Sequence, residues 1–292
     1  MQYNKNNTIE YYDSHATTYD NDGDYPANKT RLELVSSILE QLPKGKLLDA
    51  GCGTGQFLKI AHESGHKCIG CDFSSGMLKE AKKTLAGIRV PVIQTSLDDL
   101  SMFKDEAFDH VFCLGVLPYI PEEKEEKVYR ELRRVIKPGG YFVTAHQNEL
   151  FDMFTFNKYT LRFFDRNIFP LIFDISSNGD DEGEGWFRVL FKKRLASLLT
   201  NPDEPINTDG NNSARDIVFT KPENPITYPN KLREYGFANK EFLYYNFHCL
   251  PPSIRNENKE LIEISKRMEV RYSRDWQGMF MASTFISVAQ AV

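Results

Sequence analysis

The stretch LLDAGCGTGQF, residues 47–57, decides the fold, because a short apolar run ends at Asp49 and Ala50 and glycines follow at every second position. A glycine loop between a strand and a helix lets backbone N–H groups approach a ligand closely. The loop matches neither common phosphate-binding pattern, since no Gly-Lys-Ser/Thr follows and the G-x-G-x-x-G spacing is missing. A carboxylate at the mouth of the loop, Asp49, would also repel a pyrophosphate. The loop therefore favours a ligand that carries positive charge.

A second carboxylate follows at the end of the next predicted strand. Asp72 closes the run KCIGCD about twenty residues beyond the loop, where a carboxylate can accept both hydroxyls of a ribose. S-adenosylmethionine carries an ammonium, a sulfonium and a ribose but no phosphate, so it matches both acids. The position of Asp72 does not by itself separate this ligand from NAD, and a helix N-cap or a solvated turn is the alternative interpretation.

Strand and helix patterns alternate from residue 30 to residue 146, which predicts a parallel sheet with helices on both faces. The alternation stops from Gln147 to about Pro225, where an aromatic-rich stretch and two polar, turn-rich segments make a connection too long for a simple loop. It resumes with a helix, a strand, a charged helix and a closing strand GMFMASTFISVA, residues 278–289. We predict one domain over residues 1–292, with an N-terminal lid segment at 1–29 and a cap insertion at 148–226.

Composition limits the partners. The chain has 292 residues and a formal net charge of -5, which gives no general attraction to nucleic-acid phosphates or an anionic membrane. The N-terminus lacks a signal-peptide pattern, and no run approaches the ~20 apolar residues of a membrane helix. We expect a cytoplasmic protein with a small-molecule partner, no nucleic acid and no membrane; the oligomeric state stays open.

Cys68 and Cys71 lie on one predicted strand, so their side chains should point to opposite faces, and no metal site is expected.

Four stretches together resemble the class I S-adenosylmethionine-dependent methyltransferases: LLDAGCGTGQF, GCDFSSGML, FDHVFCLGVLPYI and ELRRVIKPGGYFVTAH. They occur in the order and at the intervals usual in that family, and the resemblance covers about residues 30–146. It implies S-adenosyl-L-methionine as cofactor and an α/β, Rossmann-like class I methyltransferase fold. In that fold a seven-stranded, mostly parallel sheet has helices on both faces and an antiparallel last strand.

The resemblance also implies which residues contact the cofactor. The loop would lie along the methionine and ribose, and Asp72 would hold the ribose hydroxyls. Adenine would meet residues after the third strand, where Ser96 stands in place of an aspartate common in relatives. A lid resembling the N-terminal segment of many relatives would add two tyrosines. The predicted cofactor residues are Asp49, Gly51, Cys52, Gly53, Gly55, Asp72, Phe73, Met77, Ser96, Leu97, Asp98, Leu114, Tyr11 and Tyr19.

The sequence limits the class of molecule that accepts the methyl group. No Asn/Asp-Pro-Pro-Tyr/Phe run, typical of methyltransferases acting on base amines, follows the fourth strand. We predict an enzyme that methylates an oxygen or nitrogen of a small molecule, either a biosynthetic metabolite or a sugar. A protein methyltransferase and a non-catalytic adenosylmethionine-binding scaffold subunit remain alternatives, with an NAD-dependent oxidoreductase a distant fourth. The candidate catalytic residues are His248, His146 and Tyr119, with His248 preferred as the base, although each is equally interpreted as a packing residue.

Overall fold

The computed structural model describes residues 5–20, 25–171, 189–190, 193–194, 220–252 and 259–292. One sheet joins all the strands of this part of the chain. They are β1 (Lys46–Ala50), β2 (Lys67–Asp72), β3 (Val92–Gln94), β4 (Phe108–Leu114), β5 (Ile136–Gln147), β6 (Phe237–Phe247) and β7 (Ala282–Ala291).

The sheet has seven strands in the order β3-β2-β1-β4-β5-β7-β6. Strands β1 to β5 pair in parallel, whereas β7 runs antiparallel to both β5 and β6. This confirms the seven-stranded class I fold with an antiparallel last strand. The order reverses at β1, so the carboxyl ends of β1 and β4 flank a crevice suited to a ligand.

Helices lie between the strands and before the first of them. They are α1 (Lys5–His15), α2 (Tyr25–Gln41), α3 (Gln56–Glu63), α4 (Ser75–Thr84), α5 (Glu122–Val135), α6 (Phe151–Phe154), α7 (Lys158–Phe163), α8 (Tyr228–Glu234), α9 (Lys259–Tyr272) and α10 (Gln277–Met281). A 3₁₀ turn, Leu117–Tyr119, follows β4, and a π turn, Phe164–Ile168, follows α7. Among the described helices, none is long and apolar enough to cross a membrane.

Two apolar cores cover the two faces of the sheet. Leu132 of α5 and Leu232 of α8 belong to one core, and Val35 of α2 and Leu58 of α3 belong to the other. Cys71 contributes to the first core and Cys68 to the second, which confirms that the two thiols point to opposite faces. All five cysteines are free.

Two predicted boundaries are wrong. The run GMFM, predicted as the start of the last strand, is helix α10, and the strand begins at Ala282. Gly278 lets α10 pack closely on β6, since a Cβ there would lie 2.4 Å from the Cβ of Tyr244. An apolar run this short has no periodicity that separates a helix from a buried strand. The run GYFVTAH, residues 140–146, predicts the fifth strand, but β5 begins earlier, at Ile136, and includes the Pro-Gly-Gly turn signal.

The long connection after β5 is described in part. The chain leaves the sheet through α6 and α7, and Asn148 forms an isolated parallel bridge with Glu223 on the return. The two polar, turn-rich segments include residues 179–185 and 207–212, where we expect proteolysis to cut first, and these residues lie outside the described part of the chain. The lid and cap boundaries therefore remain predictions.

Candidate functional site

The glycine loop turns from β1 into α3 through three residues with positive φ, Gly51 at 88°, Gly53 at 51° and Gly55 at 81°. A Cβ on Gly51 would lie 2.3 Å from Cγ2 of Val116, so this residue allows close packing of the loop on the end of β4. A Cβ on Gly53 would meet nothing within 4 Å. The loop thus combines a tightly packed base with an open approach to its backbone at Gly53.

Asp72 is fixed between the glycine loop and helix α4. Its Oδ2 accepts a hydrogen bond of 2.9 Å from the Gly53 amide, and its Oδ1 accepts one of 2.9 Å from the Ser74 amide. Burial raises the pKa of Asp72, although these two backbone donors oppose the rise. Each carboxylate oxygen has capacity for a second donor, and the side chain lines a cavity, so Asp72 is placed to accept two ligand hydroxyls.

Asp49 lies buried beneath the same loop. Burial, with the nearby Asp72 carboxylate, raises its pKa to about 8, while Arg31 acts in the opposite direction. Arg31 extends from α2 to the carboxyl edge of the sheet, where its Nη1 would lie 2.5 Å from a Cβ on Gly115. Its buried Nε has no hydrogen-bond partner among the described residues. An acid and a guanidinium thus lie side by side, an arrangement that suits a ligand bearing both charges.

The cavity lies at the carboxyl ends of β1 to β4, with α1 on its outer side. Its lining is Thr8, Tyr12, Tyr19, Gly51, Gly53, Asp72, Phe73, Met77, Thr95, Ser96, Leu97, Asp98, Leu114, Gly115, Val116, Tyr119, Ile120, Pro121, Lys124 and Val128. At one wall Lys124 Nζ lies 2.7 Å from Asp98 Oδ2. Burial opposes ionisation of Asp98, but hydrogen bonds from Lys124 and Ser96 outweigh it and lower the pKa of Asp98 to about 2.

Aromatic side chains close the cavity on the outer side. The Tyr12 ring of α1 lies edge-on to Phe73, at 6.0 Å between centroids, and edge-on to Tyr119, at 5.8 Å. Tyr19 lies 6.3 Å from Tyr12 by the same measure. The N-terminal segment therefore covers the crevice with aromatic surface.

The chain is similar in sequence to known methyltransferases. Residues 48–144 match the family described as "Methyltransferase domain". The chain is 28% identical to the ubiquinone biosynthesis O-methyltransferase of Hahella chejuensis over 77% of this chain and 84% of that protein. It is 32% identical to the human probable tRNA methyltransferase 9B, over 35% of this chain and 21% of that protein. The match thus spans only about a fifth of the tRNA methyltransferase 9B relatives.

A solved structure with the same fold aligns with nearly all of this chain. The magnesium protoporphyrin IX methyltransferase of Synechocystis, solved with bound SAH, superposes with a TM-score of 0.56 at 14% identity, covering 99% of this chain and 100% of that one. Residues 48–144 therefore form a methyltransferase domain, and the described part of the chain has the class I S-adenosylmethionine-dependent methyltransferase fold. The cofactor of this domain is S-adenosylmethionine.

The residues of this methyltransferase domain fit that cofactor. Among the residues that line the cavity, Asp72 has acceptor oxygens suited to ribose hydroxyls, and Gly53 leaves space for close approach of a ligand. Asp49 and Arg31 are not among the lining residues. When bound, the cofactor supplies a methyl group made reactive by the positive charge on sulfur. The protein's own groups then need to orient, cover and desolvate the reacting centre.

Ten of the predicted cofactor residues line the cavity: Gly51, Gly53, Asp72, Phe73, Met77, Ser96, Leu97, Asp98, Leu114 and Tyr19. Four do not. Asp49 lies beneath the loop, Cys52 packs in the core, and Gly55 lies against Ala81 of α4. Tyr11 turns away and stacks on His15 at 4.2 Å.

The two candidate histidines lie outside the cavity lining, whereas Tyr119 is part of it. His146 is buried in the core, where its Nε2 lies 2.8 Å from Thr144 Oγ1 and 3.0 Å from the Tyr228 hydroxyl. Burial lowers the pKa of His146 well below its ordinary value. His248 follows the edge strand β6, and its ring lies 4.8 Å from that of Phe151. Neither predicted base lines the described cavity, and the contact of either histidine with the acceptor stays a prediction.

Sequence reasoning missed several lining residues, above all Thr8, Tyr12 and Lys124. Thr8 and Tyr12 are four residues apart, so they share one face of α1. The four-residue spacing of Thr8 and Tyr12 could have identified both as lining residues. It also distinguishes Tyr12 from Tyr11, whose side chain points about 100° away around the helix. Lys124 gave no signal, because nothing local in a charged helix distinguishes one lysine from its neighbours.

Proposed function

We propose that this protein transfers a methyl group from S-adenosylmethionine to an oxygen or nitrogen of a small-molecule acceptor. The observation that carries the proposal is the cover over the site: Thr8, Tyr12 and Tyr19 of the N-terminal segment line the same cavity as the glycine loop and Asp72. A covered cavity favours an acceptor that can be enclosed over a large duplex or protein surface. The match to an O-methyltransferase over most of its length supports the same class.

We assign the following roles within that function. Asp72 accepts the ribose hydroxyls, and Tyr12 excludes water. Asp49 and Arg31, which lie outside the cavity lining, provide the opposite charges for the methionine part. Tyr119, at the end of the 3₁₀ turn after β4, is the predicted catalytic candidate that faces the cavity. Its hydroxyl can orient an acceptor by hydrogen bonding, which is sufficient for an acceptor that attacks without prior loss of a proton.

We also propose that residues 148–226 cover the acceptor side of the site, as the predicted cap would. The described part of this segment packs its aromatic rings on each other and on the sheet, with Phe151 and Phe163 buried. None of its described residues lines the cofactor cavity. We propose that they shape a neighbouring acceptor site rather than bind the cofactor.

A tRNA acceptor is the second candidate, because relatives at 32% identity are named as tRNA methyltransferases. The net charge of -5 gives no general attraction for RNA, so recognition would need a local basic surface or a partner protein. Protein methylation and a non-catalytic cofactor-binding subunit are retained as outcomes of the test below.

The test measures adenosylhomocysteine formation with three acceptor pools: small phenols, amines and sugars; total tRNA; and peptides. We expect turnover with the first pool. Turnover with tRNA or peptides alone would replace the proposal with the corresponding candidate, and tight cofactor binding without any turnover would favour the non-catalytic subunit. Calorimetry with Asp72→Ala should show about 10- to 100-fold weaker adenosylhomocysteine binding, because both ribose hydroxyls lose an acceptor. Asp99→Ala, at an exposed carboxylate nearby, is the matched control.

A further inference from the structure

The N-terminal segment contains two Tyr-Asp pairs seven residues apart, Tyr12-Asp13 and Tyr19-Asp20. Both tyrosines line the cavity. Both aspartates instead contact the turns that build the cofactor site. In each pair the tyrosine covers the cavity, and the aspartate attaches the N-terminal segment to a turn of the cofactor site.

Asp13 binds at the beginning of α4. Its Oδ1 accepts hydrogen bonds from the Ser74 hydroxyl at 2.5 Å and from the Gly76 amide at 2.9 Å. The amide of the same Ser74 donates to Asp72. Ser74 thus links the lid to the carboxylate that we assign to the ribose.

Asp20 binds at the glycine loop and the beginning of α3. Its Oδ1 accepts a hydrogen bond from the Thr54 hydroxyl at 2.9 Å, and its Oδ2 accepts one from Gln56 Nε2 at 3.1 Å. Thr54 is buried between Gly53 and Gly55, so this contact fixes the lid directly on the loop. Both carboxylates meet helix N-termini, where backbone N–H groups and the helix dipole favour negative charge.

We propose that Asp13 and Asp20 form a two-point clasp that holds Tyr12 and Tyr19 over the cofactor, and that opening this clasp limits release of the bound nucleoside. The clasp residues are positioning residues, since they bind the turns and not the reacting atoms. This inference rests on the proposed function only in that the cavity binds S-adenosylmethionine and its product. Release then requires four hydrogen bonds to break together, because Asp13 and Asp20 anchor a single short segment.

The experiment measures the dissociation rate of adenosylhomocysteine by surface plasmon resonance and amide hydrogen exchange over residues 5–20. We expect Asp13→Ala and Asp20→Ala each to raise the dissociation rate roughly 5- to 10-fold, with faster exchange of the segment. The double variant should give less than the product of the two effects, since both residues hold one segment. Asp13→Asn, which keeps an acceptor oxygen, should have a smaller effect than Asp13→Ala.

Two further variants keep the test independent of folding defects. Gln56→Ala removes one donor to Asp20 from an exposed position on α3 and should raise the rate about two- to threefold. Glu10→Gln, an exposed acid of α1 outside the clasp, is the matched control and should leave the rate unchanged. If the wild-type protein binds adenosylhomocysteine but both alanine variants release it at the wild-type rate with unchanged exchange, the clasp is overturned and the proposed function stands. Failure of the wild type to bind adenosylhomocysteine would overturn both.

Discussion

Replacing Asp49 by asparagine should stabilise the free protein. The pKa of this buried carboxyl rises from 3.8 to about 8, mainly through burial and also through the Asp72 carboxylate. A raised pKa contributes stability below 3.8 that is lost as the pH rises towards 8. At ~1.4 kcal/mol per pKa unit, ionisation in the unfolded state costs the folded protein about 4 kcal/mol of unfolding free energy at pH 7. An uncharged asparagine avoids that loss.

The assay is urea unfolding of the wild type and Asp49→Asn at pH 5, 7 and 9. The stability advantage of the variant should be on the order of 1–2 kcal/mol at pH 5, grow to roughly 4 kcal/mol at pH 7, and level off above pH 8. Glu40→Gln, at an exposed acid of α2, controls for the loss of one negative charge. An advantage that does not change between pH 5 and pH 9 would refute the reasoning, because it would mean that Asp49 is already ionised in the folded protein at pH 5.

Asp49→Asn should also bind the cofactor more weakly, and the loss of affinity should arise only from contacts with the methionine part of the cofactor. If Asp49 holds the ammonium, Asp49→Asn weakens adenosylmethionine and adenosylhomocysteine binding about 10-fold or more. Binding of methylthioadenosine, which lacks the amino-acid group, should stay within about twofold. Wild-type binding should also release protons below pH 8, because the ammonium favours the ionised carboxylate. If affinity falls equally for all three ligands, Asp49 maintains the structure of the glycine loop and does not bind the ammonium.

Three further outcomes follow from the described geometry. Tyr12→Ala should weaken adenosylhomocysteine binding about 10-fold in calorimetry while Tyr11→Ala leaves it near wild type, since only Tyr12 lines the cavity. Burial lowers the pKa of His66 and His110, so in Asp49→Asn, which lacks the opposing titration of Asp49, unfolding free energy should fall as the pH drops below about 6.5, where the unfolded histidines take up protons; a flat urea-unfolding profile of this variant between pH 7 and 5 would contradict this. His248→Ala should keep turnover within about twofold, whereas a loss of 10²–10⁴-fold with normal cofactor affinity would restore His248 as the base.

The sheet and the core of the cofactor site could be predicted because their signals are local. A glycine loop between Asp49 and α3, and an acid at the end of the next strand, depend on backbone geometry that few residue types permit. The antiparallel direction of β7 was different, since it came from the resemblance and not from any pattern in residues 278–289. Strand direction depends on pairing between distant segments, which a single sequence does not record.

The two candidate histidines lie outside the cavity lining for a related reason. His146 ends a predicted strand at the correct edge of the sheet, but alternate residues of a strand point to opposite faces, and its face depends on register. Its ring packs on Phe285 of β7 and lies beside Tyr228 of α8, both far along the chain. His248 follows β6, which the strand order places at the outer edge, beyond β7. Position along a strand is readable from sequence, whereas position within the sheet is not.

The carboxylates of Asp49 and Asp72 lower the unfolding free energy of the protein, but their charges favour binding of a cationic cofactor. The Asp72 carboxylate raises the pKa of Asp49, and Asp13 of the closed lid raises that of Asp72, with burial the larger cause for both groups. Such a site is stabilised by a cationic ligand, and it penalises nucleotides that carry phosphate. Methyl transfer removes the sulfonium charge, so the product is held less strongly by these acids than the substrate cofactor. Electrostatics then favours exchange of product for fresh cofactor, and the hydrogen-bonded clasp of Asp13 and Asp20, whose contacts do not involve the sulfur, is left to determine how fast that exchange occurs.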